Sequence, residues 1–418
     1  MSDYHRCIAP AVPEAVPSPP KPQRTDPTVP DLFPTPSRRD VSGHAFDRRR
    51  FLRVGAGVVA ALVAPWTRAS AQGAGADASG ALPSGPPAPR GQLRLFTSPD
   101  HWDPAVLQSL AAEQGIDVRI TPLTDDAAAF AAVSSGTVDV DMVSGDGLWI
   151  PAYHAAGLIE PIDLAQVRVA EELFPVARTM DLLRTPDGML GYPWSWSPLQ
   201  VVYDPARVTS APDSWDVLVD PANRGRVVIE EQRLDLVLCA GRATGAHDPL
   251  DMTDAELAAA TDWLTRLKPN IQRITRQRSD TIAALASGEC SMGIASLGAP
   301  DLVKDANGPE MVAFVPKEGT IGSIEAEMVL TSAPNAVRVP AYLDAAMSAE
   351  ASAAAFLHDG RPLFNERAYK LLVDAGQGAR ADRYLYDRPE VAMDMTLTGP
   401  GARPDAYLAA AHVVFGDQ

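Results

Sequence analysis

Leu93-Arg-Leu-Phe96, Ile116-Asp-Val-Arg-Ile120 and Val138-Asp-Val-Asp-Met-Val143 are three short apolar segments, and what separates them decides the fold. Between the first two, Pro104 to Gln114 puts Val106, Leu107, Leu110 and Ala111 at helical spacing, and Gly115 stops the run. Between the second and third, roughly Asp126 to Ser135 reads as another helix. The order strand–helix–strand–helix–strand predicts a parallel sheet with helices on its faces, an α/β fold. Ligands of such sheets sit at the carboxyl ends of strands. The loops Thr97 to Asp103 and Ser144 to Trp149 are therefore the first places to look for a site. Neither is a GxGxxG or a phosphate loop, and Ser144-Gly-Asp146-Gly147 is a tight polar turn of little specificity.

Further along, Met189 to Tyr203 reads as a strand broken by proline that carries Trp194 and Trp196. Gly225-Arg-Val-Val-Ile229 is a strand, and Leu234 to Thr244 the helix after it. Asp254 to Leu267 is an amphipathic helix with Thr253 as N-cap and Glu256 at its third position. Ser279 to Ser287 is a short helix closed by Gly288, and Ser291 to Ala295 the next strand. Val312 to Pro316 and Glu327 to Thr331 complete the strands.

Upstream, the chain carries an address. Arg48 and Arg49 form a twin-arginine pair followed by Phe51 and Leu52, and Val54 to Ala64 is an apolar run about half as long as a membrane span. Ala69-x-Ala71 offers small side chains to a signal peptidase, so 47–71 reads as a twin-arginine signal removed after Ala71. No cysteine at that point supports a lipid anchor. Residues 9 to 36 hold ten prolines and few large apolar side chains, which predicts a disordered Pro-rich leader over 1–46. Residues 72–91, rich in Gly, Ala, Ser and Pro, read as a flexible linker. The mature protein is expected in the periplasm, with about 325 folded residues, enough for two domains or one bilobed one.

Composition narrows the function. Residues 1–71 hold 10 of the 36 Lys+Arg and 6 of the 53 Asp+Glu, so the mature chain carries 26 against 47, a net −21. That balance disfavours nucleic acid and anionic membranes, and mildly favours a cationic ligand. Cys239 and Cys290 are the cysteines that survive cleavage, and their separation leaves pairing open. There is no HExxH, CxxC, Walker loop or GxSxG, and Ile294-Ala-Ser-Leu-Gly298 lacks the elbow's first glycine. His154, His247, His358 and His412 are scattered, while His101 stands out for its loop. Nothing asks for a cofactor or a metal, and the weight moves from catalysis to binding.

The ordered blocks Leu93-Arg-Leu-Phe96, Gly157-Leu-Ile-Glu-Pro-Ile-Asp163, Tyr192-Pro193-Trp194, Ser214-Trp215-Asp-Val-Leu218, Gly225-Arg-Val-Val-Ile229, Gly288-Glu289 and Pro316-Lys-Glu-Gly319 run from about Gln92 to Gln418. In this order the chain resembles the periplasmic spermidine/putrescine-binding proteins, substrate-binding components of ABC transporters. The resemblance implies a two-lobed periplasmic-binding-protein fold of type II. Each lobe would be a mainly parallel sheet flanked by helices. Lobe 1 would comprise 92–201 and 324–392, and lobe 2 would comprise 202–323 and 393–418. Crossing hinge strands near Leu199 to Tyr203 and Glu325 to Leu330 would let the lobes close over a small-molecule ligand. It further implies a monomer that works with an inner-membrane ABC permease and has no catalytic residues.

The resemblance also implies where the ligand sits, and there the chain departs from the pattern. Family members hold a polyamine with aromatic rings and carboxylates. The expected aromatics become Ser98, Ser296 and Ser323, and one acidic position becomes Gln232. Asp235 and Glu325 retain their acids, and His101 or Trp102 falls where a first-loop aromatic is expected. With Ser144, Asp146, Trp194 and Trp196, these form the expected ligand-binding set. Fewer rings and retained acids imply a smaller or more polar cation than spermidine. The serines keep open an anionic ligand on the same fold, and a sensory or enzymatic module derived from it is the remaining class.

Overall fold

A computed structural model of the chain describes residues 91–416, apart from 99–100, 102–103, 124, 209–210, 231 and 400. The leader, the twin-arginine signal, nearly all of the linker, and Trp102 lie outside the described residues. The strands begin with β1 (Gly91–Thr97), β2 (Ile116–Pro122) and β3 (Met142–Asp146), followed by β4 (Ile159–Glu160) and a two-stranded pair, β5 (Arg184–Thr185) and β6 (Gly188–Met189). Then come the long β7 (Gly191–Tyr203), β8 (Val227–Glu230), β9 (Ile271–Thr275), β10 (Met292–Ser296), β11 (Val312–Phe314), the long β12 (Ile321–Leu330) and β13 (Thr396–Leu397).

Eleven of these strands form one continuous sheet, whose main path runs β2-β1-β3-β12-β7-β10-β8-β9. β1 pairs in parallel with β2 and β3, and β8 pairs in parallel with β9 and β10. The crossing strands join these parallel sets through antiparallel pairs, β12 with β3 and β7, and β7 with β10. The sheet is thus parallel at both ends and antiparallel where the chain passes between lobes.

The long strand β7 changes partner along its length. Its first part, up to Pro198, pairs with β12, and from Leu199 to Tyr203 it pairs with β10. The sequence reading expected Pro193 and Pro198 to break this strand, yet thirteen residues run through. Proline lacks only a donor, and both prolines fall where a donor is dispensable. Pro198 lies at the change of partner, and Pro193 lies by the register shift that faces Glu325 and Ala326. At the same crossing a Cβ on Gly322 would run into the Ser197 carbonyl and Pro198, so glycine is what lets the two strands approach there.

Two helices match their predicted spans, Pro104–Gln114 and Asp254–Leu267, the latter with its capping box between Thr253 and Glu256. β3 starts four residues later than Val138, where the alternation placed it. The carboxylate of Asp141 accepts 2.8 Å from the Arg94 backbone N–H and from Arg94 Nε at 3.0 Å, so a side chain takes the bond that a ladder would have used.

The apolar interior is divided in the same way as the sheet. One cluster joins residues from Leu93 to Trp196 with Ile324 to Met395. A second gathers Val201, Trp215, Trp263, Tyr407 and Phe415 with their neighbours, and a third gathers Val202, Ile282, Leu285 and Met311. Cys239 lies in the second cluster and Cys290 in the third, both buried and unbonded. Each is a small apolar side chain in its own layer.

Candidate functional site

A cleft of about 540 Å³ opens where β7 and β12 cross. Trp194 to Ser197 of β7 and Ser323 and Glu325 of β12 line it, together with Ser296 and Leu297 at the carboxyl end of β10. Arg278, at the start of the helix Arg278–Ala286, comes from the lobe of the third cluster. From the other lobe come His101, Ala351 and Ala355 of the helix Ala349–Asp359, and the turn from His358 to Leu363. Gly360, in the left-handed region at φ 75°, ends that helix and turns the chain so that Arg361 enters the cleft.

The tryptophans are held rigidly. Trp196 is fully buried against Phe364 at 4.5 Å between ring centroids, with Tyr386 at 5.9 Å and Phe174 at 6.3 Å. The His101 ring meets the Trp194 ring edge-on at 5.2 Å, and the Arg361 guanidinium lies over that same ring, also at 5.2 Å. His101 is fixed by Thr97, whose hydroxyl is 3.1 Å from Nδ1, and by its backbone N–H to the Ser98 carbonyl at 3.0 Å. Arg278 Nη2 donates to the Leu297 carbonyl at 2.6 Å, which holds its head at the rim.

Six members of the expected set meet in this cleft: His101, Trp194, Trp196, Ser296, Ser323 and Glu325. Ser98 is not among the lining residues and acts through its carbonyl, by closing the turn that carries His101. Ser144 is fully buried opposite Glu327 on β12, inside a lobe, because β3 runs on to Asp146 and makes Ser144 a strand residue rather than a loop residue. Gln232 is exposed at the start of the helix Arg233–Ala243, outside the cleft wall.

Asp146 and Asp235 form a neighbouring pair from opposite lobes. Asp146 accepts from the Leu148 N–H at 2.8 Å, and its own N–H donates to Asp126 at 3.1 Å. Burial pushes the Asp146 carboxyl up to about 7, and the charges of Asp126 and Asp235 add to the rise. Burial also raises Asp235, to about 6, with help from Glu230. Glu325 stands between Ser195 on one side and Asp146 on the other. Neither Asp146 nor Asp235 is among the lining residues of the cleft, where Glu325 is the carboxylate among the described residues. Among the described residues, no group of three or more His, Cys, Asp and Glu is placed to hold a metal.

Sequence reasoning missed Arg278 and Arg361. Arg278 belongs to a helix that the reading began one residue later, and Arg361 follows a glycine before a proline, a turn signature that gives no hint of direction.

A family model described as bacterial extracellular solute-binding protein matches residues 105–374. The putrescine-binding periplasmic protein PotF of Escherichia coli is 23% identical over 263 residues, 58% of this chain and 70% of that one. Among solved structures, the spermidine/putrescine ABC transporter substrate-binding protein PotD of Streptococcus pneumoniae superposes with a TM-score of 0.66 at 18% identity, covering 77% of this chain and 99% of that one. The PotD lipoprotein of Treponema pallidum gives 0.61 at 16% identity, covering 78% and 99%. Continuous sheet, crossing strands and interlobe cleft are those of the type II periplasmic-binding fold, and this chain belongs to the bacterial extracellular solute-binding protein family.

Proposed function

We propose that this chain is the solute-binding component of an ABC importer, taking a small amine-bearing polar solute between its two lobes. Glu325 carries the reading. It is a carboxylate on a crossing strand, in the cleft that both lobes line, beside Trp194 and Trp196. An ammonium there gains a charge-assisted hydrogen bond. Ser296 and Ser323 offer no rings to a long methylene chain, so a solute shorter or more polar than spermidine fits better. The names of the PotF and PotD relatives support an amine and an importer as partner system.

The site's place across two lobes gives the mechanism. A solute that touches both lobes gains contacts only when they approach, and it shifts the open–closed balance by that gain. β7 and β12 would bend where β7 changes partner, at Pro198 to Leu199. The protein would act as a monomer in the periplasm, delivered by its twin-arginine signal, and hand the solute to an inner-membrane permease. Native mass spectrometry of protein taken from the periplasm tests this. An amine-containing molecule retained at one per chain is expected, together with a smaller radius in solution scattering than the stripped protein. A chain that carries no solute and does not compact with any amine would refute the reading.

A further inference from the structure

We propose that the two lobes are held together at the rim of the cleft by a latch of the protein's own, Arg383 and Tyr384 against Asp301 and Gly298, which favours the closed form without a solute. This rests on the lobes hinging, and not on the charge of the solute. Gly298 and Asp301 belong to the start of the helix Ala299–Asp305, whose Ala299 and Val303 pack in the third cluster. Arg383 ends the helix Gly378–Arg383, and Tyr384 follows it in the first cluster. The contact thus joins the lobes through side chains, apart from the crossing strands β7 and β12.

Arg383 meets Asp301 as a fork. Its Nε donates to Oδ1 at 3.1 Å, and its Nη2 donates to Oδ1 at 3.0 Å and to Oδ2 at 3.1 Å. Nη1 donates back to the Ala379 carbonyl at 3.0 Å, so its own helix aims the head. Tyr384 is buried, with its ring edge-on to Phe356 at 5.3 Å and the Arg380 guanidinium over it at 5.8 Å. Leu385, next in the chain, is held in the left-handed region at φ 56°, a conformation a leucine adopts only at a cost. The hydroxyl-bearing edge of the tyrosine lies against two left-handed glycines, Gly298 and Gly360, and a Cβ on either would run into it. Gly298 follows Leu297 and Gly360 precedes Arg361, both of which line the cleft. Parting the lobes here would break the Arg383–Asp301 and Tyr384–Gly298 contacts, neither of which involves a solute. A solute that binds the closed form gains affinity in proportion to the closed fraction. Arg383 is half exposed, so salt weakens the latch.

Solution scattering of the full chain without added solute tests this, with sodium chloride at roughly 0.05 and 1 M to change the screening length several-fold. Asp301→Asn should lower the closed-to-open ratio about 1.5- to 5-fold, as losing about 0.2–1 kcal/mol gives for an exposed pair. Its radius should exceed the parent's at low salt, and the difference should vanish at high salt. Asp301→Arg combined with Arg383→Asp should recover the compact form, which a merely structural role for Asp301 would not allow. Equal radii for parent and Asp301→Asn at low salt would overturn the latch. Gly298→Trp, a wedge against Tyr384, judges the hinge separately. If equal radii are joined by a larger radius in the wedge variant, the lobes do part and the latch alone falls. An unchanged radius in a folded wedge variant overturns hinging and latch together. Should the wedge variant fail to fold, Asp301→Asn decides the latch by itself.

Discussion

Glu325 of β12 stands directly opposite Asp146 of β3 in antiparallel register, so two carboxyl side chains share one face of the sheet at the crossing. Like charges in that relation destabilise a sheet. With Asp235 close by from the other lobe, burial holds the Asp146 carboxyl at about 7. A proton on Asp146 removes the repulsion that two ionised carboxylates would have there.

Asp146 makes stability depend on pH. Its folded value lies far above the 3.8 of an unperturbed aspartic acid, so the folded chain keeps a proton that the unfolded chain has released. Stability from this group is full below about pH 4 and is lost as pH rises towards 7. Asp146→Asn keeps an oxygen for the Leu148 N–H and removes the ionisation. The variant should melt higher than the parent at pH 8, and the two should converge near pH 4. A parent that melts no lower than the variant at pH 8 would show that Asp146 ionises at no cost.

Glu327 extends that argument into the interior of a lobe. It is fully buried opposite Ser144, the Tyr342 hydroxyl donates to its Oε1 at 3.5 Å, and its Oε2 has no partner. Burial raises its carboxyl to about 8, outweighing what Ser144 and Tyr342 offer the charged form. Since an unperturbed Glu titrates near 4.5, stability should fall between pH 4.5 and about 8 as the unfolded chain alone releases the proton. Glu327→Gln, neutral and of the same shape, should flatten the profile over that whole window in chemical denaturation at stepped pH. Parallel profiles for parent and variant would overturn the assignment.

Asp141 is the opposite case. It is fully buried, and although burial alone would raise its carboxyl, bonds from Arg94 and Asn335 win and lower it. Asp141→Ala would strand the Asn335 amide and take two acceptors from the Arg94 head, which keeps its ion pair with Asp139, at a cost of about 1–3 kcal/mol. The parent's contribution from this group is present above the usual aspartate range and fades as pH falls through its lowered value. Urea midpoints of parent and variant should therefore differ most at neutral pH and draw together in acid.

These residues also show what the sequence could reveal. The helices Pro104–Gln114 and Asp254–Leu267 were legible because periodicity, a stop glycine and a capping box are local signals. β7 was legible as a strand, but its continuity was not, since whether a proline is tolerated depends on which partner lacks a bond at that step. Six cleft residues could be named because the ordered blocks fixed the crossing strands and the loops beside them. Arg278 and Arg361 could not, because they reach one cleft only after two lobes are folded and a left-handed glycine has turned the chain. Ser144 was misplaced because β3 continues to Asp146, paired residue by residue with a strand some 180 positions later in the chain, which no local signal reveals.

Export supplies a prediction independent of the cleft. Arg48 and Arg49, with Phe51 and Leu52 after them and Ala69-x-Ala71 downstream, read as a twin-arginine signal. Replacing both arginines by lysine keeps the charge and removes the paired guanidiniums. Precursor of full length should then accumulate in the cytoplasm of the producing bacterium, seen by immunoblot of fractionated cells. Processed protein in the periplasmic fraction at the parent's level would rule the twin-arginine route out.

The Glu325 carboxylate carries the sharpest claim. Glu325→Gln preserves length and shape, removes the charge, and replaces one acceptor oxygen by an NH2 donor. If an ammonium docks there, the charge-assisted bond is lost, about 1.5–3 kcal/mol, and amine-bearing probes should bind about 10- to 150-fold more weakly by calorimetry. The ratio should shrink with added salt far less than for a surface pair, since a closed cleft excludes screening ions. A purely structural role predicts something else. The apo protein would melt lower while the ratio of affinities for amine and for uncharged probes stayed fixed. Comparing that ratio in parent and variant separates the two roles, because only loss of a direct charge contact lowers it. A carboxylate without an amine binding the variant more tightly than the parent would mean that Glu325 repels the solute, and the amine would have to be given up.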